Sequence, residues 1–171
     1  GAEVHVSLEN IGAGHSFPSG ATQDRRVWVQ LRAFDGDAAT FESGVVADGQ
    51  PVSELAGVWV LRDHLFDDNN QEVHMFWEAT RVESSLLPAP TTRDVLDPDW
   101  IDTHVSRIYE LEGLPERVEV NVYVRPMGLD VLQNLVDSGD LDAGILDVMP
   151  TFSVASGAKV WFVADGEECT P

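Results

Sequence analysis

The chain has little cysteine, almost no lysine and no long apolar run. With a single cysteine, Cys169, it forms no intrachain disulfide, so no redox compartment can be read from cross-links. Lysine occurs once, at Lys159, and Lys plus Arg number 10 against 30 Asp plus Glu, a formal net charge of −20. Such a surface repels phosphate backbones and anionic headgroups by plain Coulomb repulsion, which excludes nucleic acid as a partner. It favours cationic partners or divalent metals, and it suits a protein from a salt-rich setting as readily as one with a charged ligand. No apolar stretch approaches the ~20 residues of a membrane-crossing helix, so membrane insertion is not expected. Gly1-Ala2-Glu3 leads straight into a strand pattern without a signal-peptide pattern, as expected of a trimmed or mature fragment whose start says nothing about targeting. The hydrolase and phosphate-binding signatures G-x-S-x-G, H-E-x-x-H and G-x-x-x-x-G-K-[ST] are missing, so no enzymatic activity is expected.

What is present is a globular composition, 43% hydrophobic over 171 residues, consistent with one domain spanning 1–171 around one core. Apolar residues alternate with polar ones along Val4–Leu8, Arg25–Asp35 and Arg117–Arg125, the pattern of half-buried antiparallel strands. Further strands are predicted at Thr40–Ala47, Val58–Phe66, Glu72–Val82, His104–Glu112 and Ala158–Ala164. About eight strands at this spacing predict an all-β antiparallel sandwich, jelly-roll or immunoglobulin-like. Leu129–Val136 carries helical spacing instead, with a second short turn at Leu141–Val148, a helical insertion near the C-terminus. Ser84–Asp102 reads as a long irregular connection.

Several residues are candidates for chemistry. Gly12–Gly20 (GAGHSFPSG) packs three glycines, a proline and His15 into one loop, backbone freedom that usually serves to hold something in place. His15 is either a ligand or a structural histidine bonded to a carbonyl. His64 and His74 flank the turn Asp67-Asp68-Asn69-Asn70. A hairpin loop at Asp68–Asn70 would set the two histidines face to face, within reach of one metal, whereas a one-residue slip pairs His64 with Val73. Asp67 and Asp68, like Asp94, Asp97, Asp99 and Asp102 around Trp100, offer oxygens suited to calcium, with ordinary turns as the alternative. Trp100 is expected to anchor its acidic loop to the core. Asp24, Arg25 and Arg26 read as surface ion pairs, and the five tryptophans mainly as core.

The run N-x-G-A-G-H-x-F-P-S-G over Asn10–Gly20, followed by Arg26-Val27-Trp28-Val29 and Phe41-Glu42-Ser43-Gly44, resembles the β-rich domain of bacterial multihaem c-type cytochromes. Asp67–Asn70, Phe76-Trp77 and Val122–Pro126 continue that resemblance in order, and Ser19 stands where Thr is usual. The resemblance implies a haem-free accessory sandwich in the periplasm or outside the cell, supporting electron transfer beside a haem-bearing segment or subunit. It implies haem c bound by that neighbour and not covalently by this chain, because no complete C-x-x-C-H is present. Cys169-Thr170-Pro171 would begin such a motif only if Cys-His followed. His15 maps onto the histidine of the motif and is the residue to serve as an axial ligand. The alternative expectation is a calcium-stabilised module of a secreted protein that recognises carbohydrate or another protein.

Overall fold

The computed structural model describes residues 1–52, 57–92, 94, 96–101 and 103–165. Cys169 and Asp102 therefore lie outside the described residues. The chain is all-β, built from antiparallel sheets with two helices.

Strands β1 (Ala2–Leu8), β2 (Arg26–Asp35), β3 (Ala38–Ser43), β4 (Trp59–Leu61), β5 (Asp63–Phe66) and β6 (Glu72–Val73) come first. They are followed by β7 (Arg81–Ser84), β8 (Val105–Leu111) and β9 (Arg117–Arg125). Helices α1 (Leu129–Asp137) and α2 (Ile145–Val148) precede β10 (Phe152–Ser153) and β11 (Lys159–Phe162). The largest sheet centres on the antiparallel pair β2–β9. Strands β3 and β4 share the far edge of β2, and β10 and β11 share the far edge of β9. The register sets Val27 against Val124, Val29 against Val122, Leu31 against Val120 and Ala33 against Val118. Because side chains alternate faces with period two, this places one continuous aliphatic surface on a single side of the sheet.

That surface is covered by the two-stranded sheet β1–β8, whose inward residues include Val4, Val6 and Tyr109. The opposite face of β2–β9 carries a smaller cluster of Trp28, Val52 and Val60, with Tyr123 packed against it. A third small sheet, β6–β5–β7, sits beyond β4.

The sequence pattern mispredicts some strands, each for a local reason. The strand expected at Thr40–Ala47 stops at Ser43 because Gly44 turns the backbone at φ +69°. A Cβ there would stand 2.1 Å from the Val29 carbonyl oxygen, and the Gly44 carbonyl accepts the Trp28 Nε1–H at 3.1 Å. Gly44→Ala is expected to lower stability by more than about 2 kcal/mol in urea denaturation, because both the φ and the space are closed to alanine. The run Val58–Phe66 breaks into β4 and β5 at Arg62, a buried charge. Glu72–Val82 is split by a turn in which Glu78 N donates to Met75 O and Ala79 N to Phe76 O. The helix expected over Leu129–Val136 is α1, which buries Leu129, Val131 and Leu132.

Two expectations about side chains are corrected. Arg26 does not lie on the surface: it is 1% exposed, with its guanidinium paired to Asp130 of α1. The tryptophans are mainly core, as expected, Trp161 packing against the main cluster, but the anchoring role of Trp100 is corrected. Trp28 and Trp59 are buried, Trp77 is 68% exposed in the turn after β6, and Trp100 is also exposed and so does not anchor its loop to the core.

Candidate functional site

The loop from β1 to β2 carries His15, and one buried side chain organises it. Asn10, 6% exposed, donates from Nδ2 to the His15 carbonyl at 2.6 Å and accepts the Ala13 N–H on Oδ1 at 3.1 Å. One amide thus closes the first half of the loop around itself, while Gly14 takes φ +70° and Gly20 φ +82°, conformations open to glycine. The second half is pinned by a two-bond bridge between Phe17 and Leu87, N–O distances 2.9 and 2.8 Å. Pro18, after a cis Phe17–Pro18 bond, is fully buried, and Arg25 holds the Ser19 carbonyl. Asn10→Ala removes the side-chain partner of the His15 carbonyl and of the Ala13 N–H. It is expected to cost about 1–3 kcal/mol and to speed amide exchange at Ala13.

Within this frame the imidazole of His15 is exposed, and its Nδ1 lies 2.8 Å from the Ser16 carbonyl oxygen. A carbonyl can only accept, so in the neutral ring this contact places the proton on Nδ1 and leaves the lone pair on Nε2. A carbonyl or carboxylate bond to one ring nitrogen is the usual way a protein orients a histidine that ligates through the other. The sequence left His15 open between a carbonyl-bonded structural histidine and a ligand; the geometry satisfies the first and is compatible with the second.

The other candidate ligands are dispersed. Strands β5 and β6 pair Leu65 with Val73 and Phe66 with Glu72, the register that would continue to His64 opposite His74. The ladder stops at Val73, however. His64 Nδ1 lies 3.2 Å from Glu72 Oε1, and His74 stands within electrostatic reach of Asp24 and Asp130 instead. The Asp67 carboxylate folds back on its own turn, accepting from Asn69 N at 2.9 Å and Gln71 N at 2.8 Å. Those bonds, the one from Gln71 foremost, hold its carboxyl below the usual carboxylate range. Asp68 lies on the exposed turn beside it. Asp97 caps the next turn by accepting Asp99 N at 2.9 Å, and Trp100 N donates to the Asp97 carbonyl at 2.9 Å. Among the described residues no group of three or more His, Cys, Asp or Glu is arranged to hold a metal ion.

The constellation that sequence reasoning missed is a buried ionic network at the start of β2. Arg26 Nη2 donates to Asp130 Oδ2 at 2.6 Å, and its Nη1 to the Gln23 carbonyl at 2.8 Å. Gly128 N donates to the Asp24 carbonyl at 2.7 Å, tying the helix entry to the end of the His15 loop. Arg62, also buried, pairs with Glu72. Burial pushes the Asp24 carboxyl up despite Arg26 nearby. At Asp130 burial also pushes upward, but the Arg26 charge and hydrogen bond, with smaller help from a backbone hydrogen bond and His74, hold the group below the usual carboxylate range. The network fixes where the loop rejoins the sheet.

No protein-family model and no curated protein sequence matches the chain. Among solved structures it matches a penta-heme cytochrome c552 from Thermochromatium tepidum with a TM-score of 0.61 and 15% sequence identity. The match covers 94% of this chain and 35% of that one, so the chain spans about a third of that cytochrome's length. At this identity the likeness is one of fold: nearly the whole chain has the architecture of a segment of a longer cytochrome.

Proposed function

We propose that the chain is an accessory β-sandwich of an extracytoplasmic multihaem cytochrome, carrying no covalent haem and performing no catalysis. In this reading His15 offers Nε2 as an axial ligand to a haem held by a neighbouring segment or partner subunit. The observation that carries the reading is the exposed imidazole whose Nδ1 is held by the Ser16 carbonyl, on a loop closed by a buried Asn10. Its donor chemistry fits the group, since haem iron takes a neutral imidazole nitrogen. The shared fold with part of a penta-heme cytochrome supports the same reading. Haem, when bound, supplies one-electron redox chemistry. The chain's own part is to orient the imidazole.

Titration of the chain with a haem c peptide that has an open sixth position tests this. A saturable Soret shift to the low-spin form is expected, abolished in His15→Ala and retained in His5→Ala and His104→Ala. An equal shift in His15→Ala contradicts the ligand role.

A calcium-stabilised binding module is the second reading, and the exposed Phe76–Trp77 pair, ring centroids 5.0 Å apart, is what favours it. A rise in Tm on adding calcium supports that reading against the first.

A further inference from the structure

The two sheets of the sandwich leave an open cleft of about 1070 Å³ along one side, between β1 and the β9–β11 edge. Its floor is aliphatic, formed by Val4, Val6, Leu61, Val118, Val120 and Val122. Every residue from Glu3 to Glu9 lines it in succession, so β1 presents its edge to the cleft and not merely one row of side chains. β1 pairs on one side only, with β8. Among the described residues, no further backbone–backbone hydrogen bond involves β1. An unpaired edge above an apolar trough is a template for another strand.

We propose that this edge and cleft form a docking site for an extended cationic segment of a partner protein. The segment adds beside β1, with apolar side chains at alternate positions in the cleft and Lys or Arg between them. Charge selects that occupant. On the outer face of β1–β8, Glu3 stands directly opposite Glu110, a like-charge pair that has His5 Nε2 at 3.0 Å from Glu3 Oε2 and that a neighbouring cation relieves further. Glu9 adds a further acid to the lining, against the one cation among the described lining residues, Lys159. A second copy of this chain would bring another net charge of −20 and is repelled. A small apolar molecule would fill the trough yet leave the β1 backbone unpaired, whereas a strand satisfies both. The inference stands on β1 and the cleft, independently of any role for His15.

The test uses isotopically labelled chain and a capped peptide of alternating Lys and Val, as long as β1. Saturable binding that slows amide exchange within Ala2–Leu8 is expected. A peptide with the same side chains but N-methylated along its pairing edge should bind at least about tenfold more weakly. An alternating Glu and Val peptide should not bind. Glu3→Lys, a change at an exposed side chain of β1, should weaken the Lys–Val peptide several-fold. Absence of binding overturns the proposal. So does equal affinity for the N-methylated peptide, which would mean charge attraction alone, and so does protection confined to another edge such as β3. A dimer whose β1 amides are protected without peptide overturns it too, by making a second copy the occupant.

Discussion

Trp28→Ala is expected to lower stability by about 3–5 kcal/mol, the range for deleting a buried large aromatic. Trp28 is 2% exposed and is the centre of the second core cluster, against Val52 and Val60. Tyr123 packs beside it at 5.5 Å between ring centroids, and the Arg125 guanidinium stands over the indole at 5.6 Å. Truncation removes these contacts, opens a cavity, and strips the Gly44 carbonyl of its indole donor. Trp28→Phe keeps most of the area and loses the hydrogen bond, so about 1–2 kcal/mol is expected. Urea denaturation monitored by circular dichroism reads both. A loss below about 1 kcal/mol for Trp28→Ala would show that the outer face of the sheet is not a true core.

The second large effect concerns the ionic network. Asp130→Asn removes the carboxylate that neutralises Arg26, leaving a buried guanidinium with carbonyl acceptors alone. Breaking a buried pair costs about 3–5 kcal/mol, but Asp130 is 38% exposed and water screens part of the interaction, so about 2–3 kcal/mol is expected at neutral pH. The pH dependence has a definite sign. The folded pKa of Asp130 lies below its unfolded value, so its contribution is present above the unfolded carboxylate pKa and is lost as pH falls through the folded one. The gap between wild type and Asp130→Asn should therefore close in acid. Asp24 acts oppositely, because burial raises its folded pKa and its ionisation works against the fold. Asp24→Asn should accordingly raise stability slightly at neutral pH. A wild-type to Asp130→Asn gap that persists unchanged to the acid limit would contradict the pair.

Much of the sandwich is legible from side-chain alternation. Val27, Val29, Leu31 and Ala33 announce one dry face of β2, and Val118 to Val124 announce that of β9, because one buried face forces period two. The face on which Trp28 and Tyr123 meet is less legible, since polar residues such as Gln30 and Arg32 share it. Where strands end depends on single positions: Gly44 ends β3 through one dihedral angle and a packing against Val29 that leaves no room for a Cβ, which alternation does not encode. The Arg26–Asp130 pair is invisible to local reading because its partners lie 104 residues apart. An arginine beside an arginine at the start of a strand looks solvated until the helix that covers it is placed.

The candidate site divides in the same way. That the glycine-rich loop is a built structure follows from its composition, but the closure by Asn10 and the tautomer of His15 require coordinates. The His64 and His74 register was readable from the turn length, whereas the end of β6 at Val73 and the Glu72 contact to His64 were not.

The proposed role of His15, ligand to a haem carried by a neighbour, is tested most directly in the cytochrome assembly that the proposal implies. His15→Ala in that assembly should convert one haem from low-spin to high-spin, read in the Soret and near-infrared bands, with Ser16 and Asn10 unchanged and the sandwich folded. An unaltered spectrum from a folded His15→Ala assembly would show that the loop holds its histidine for structure alone.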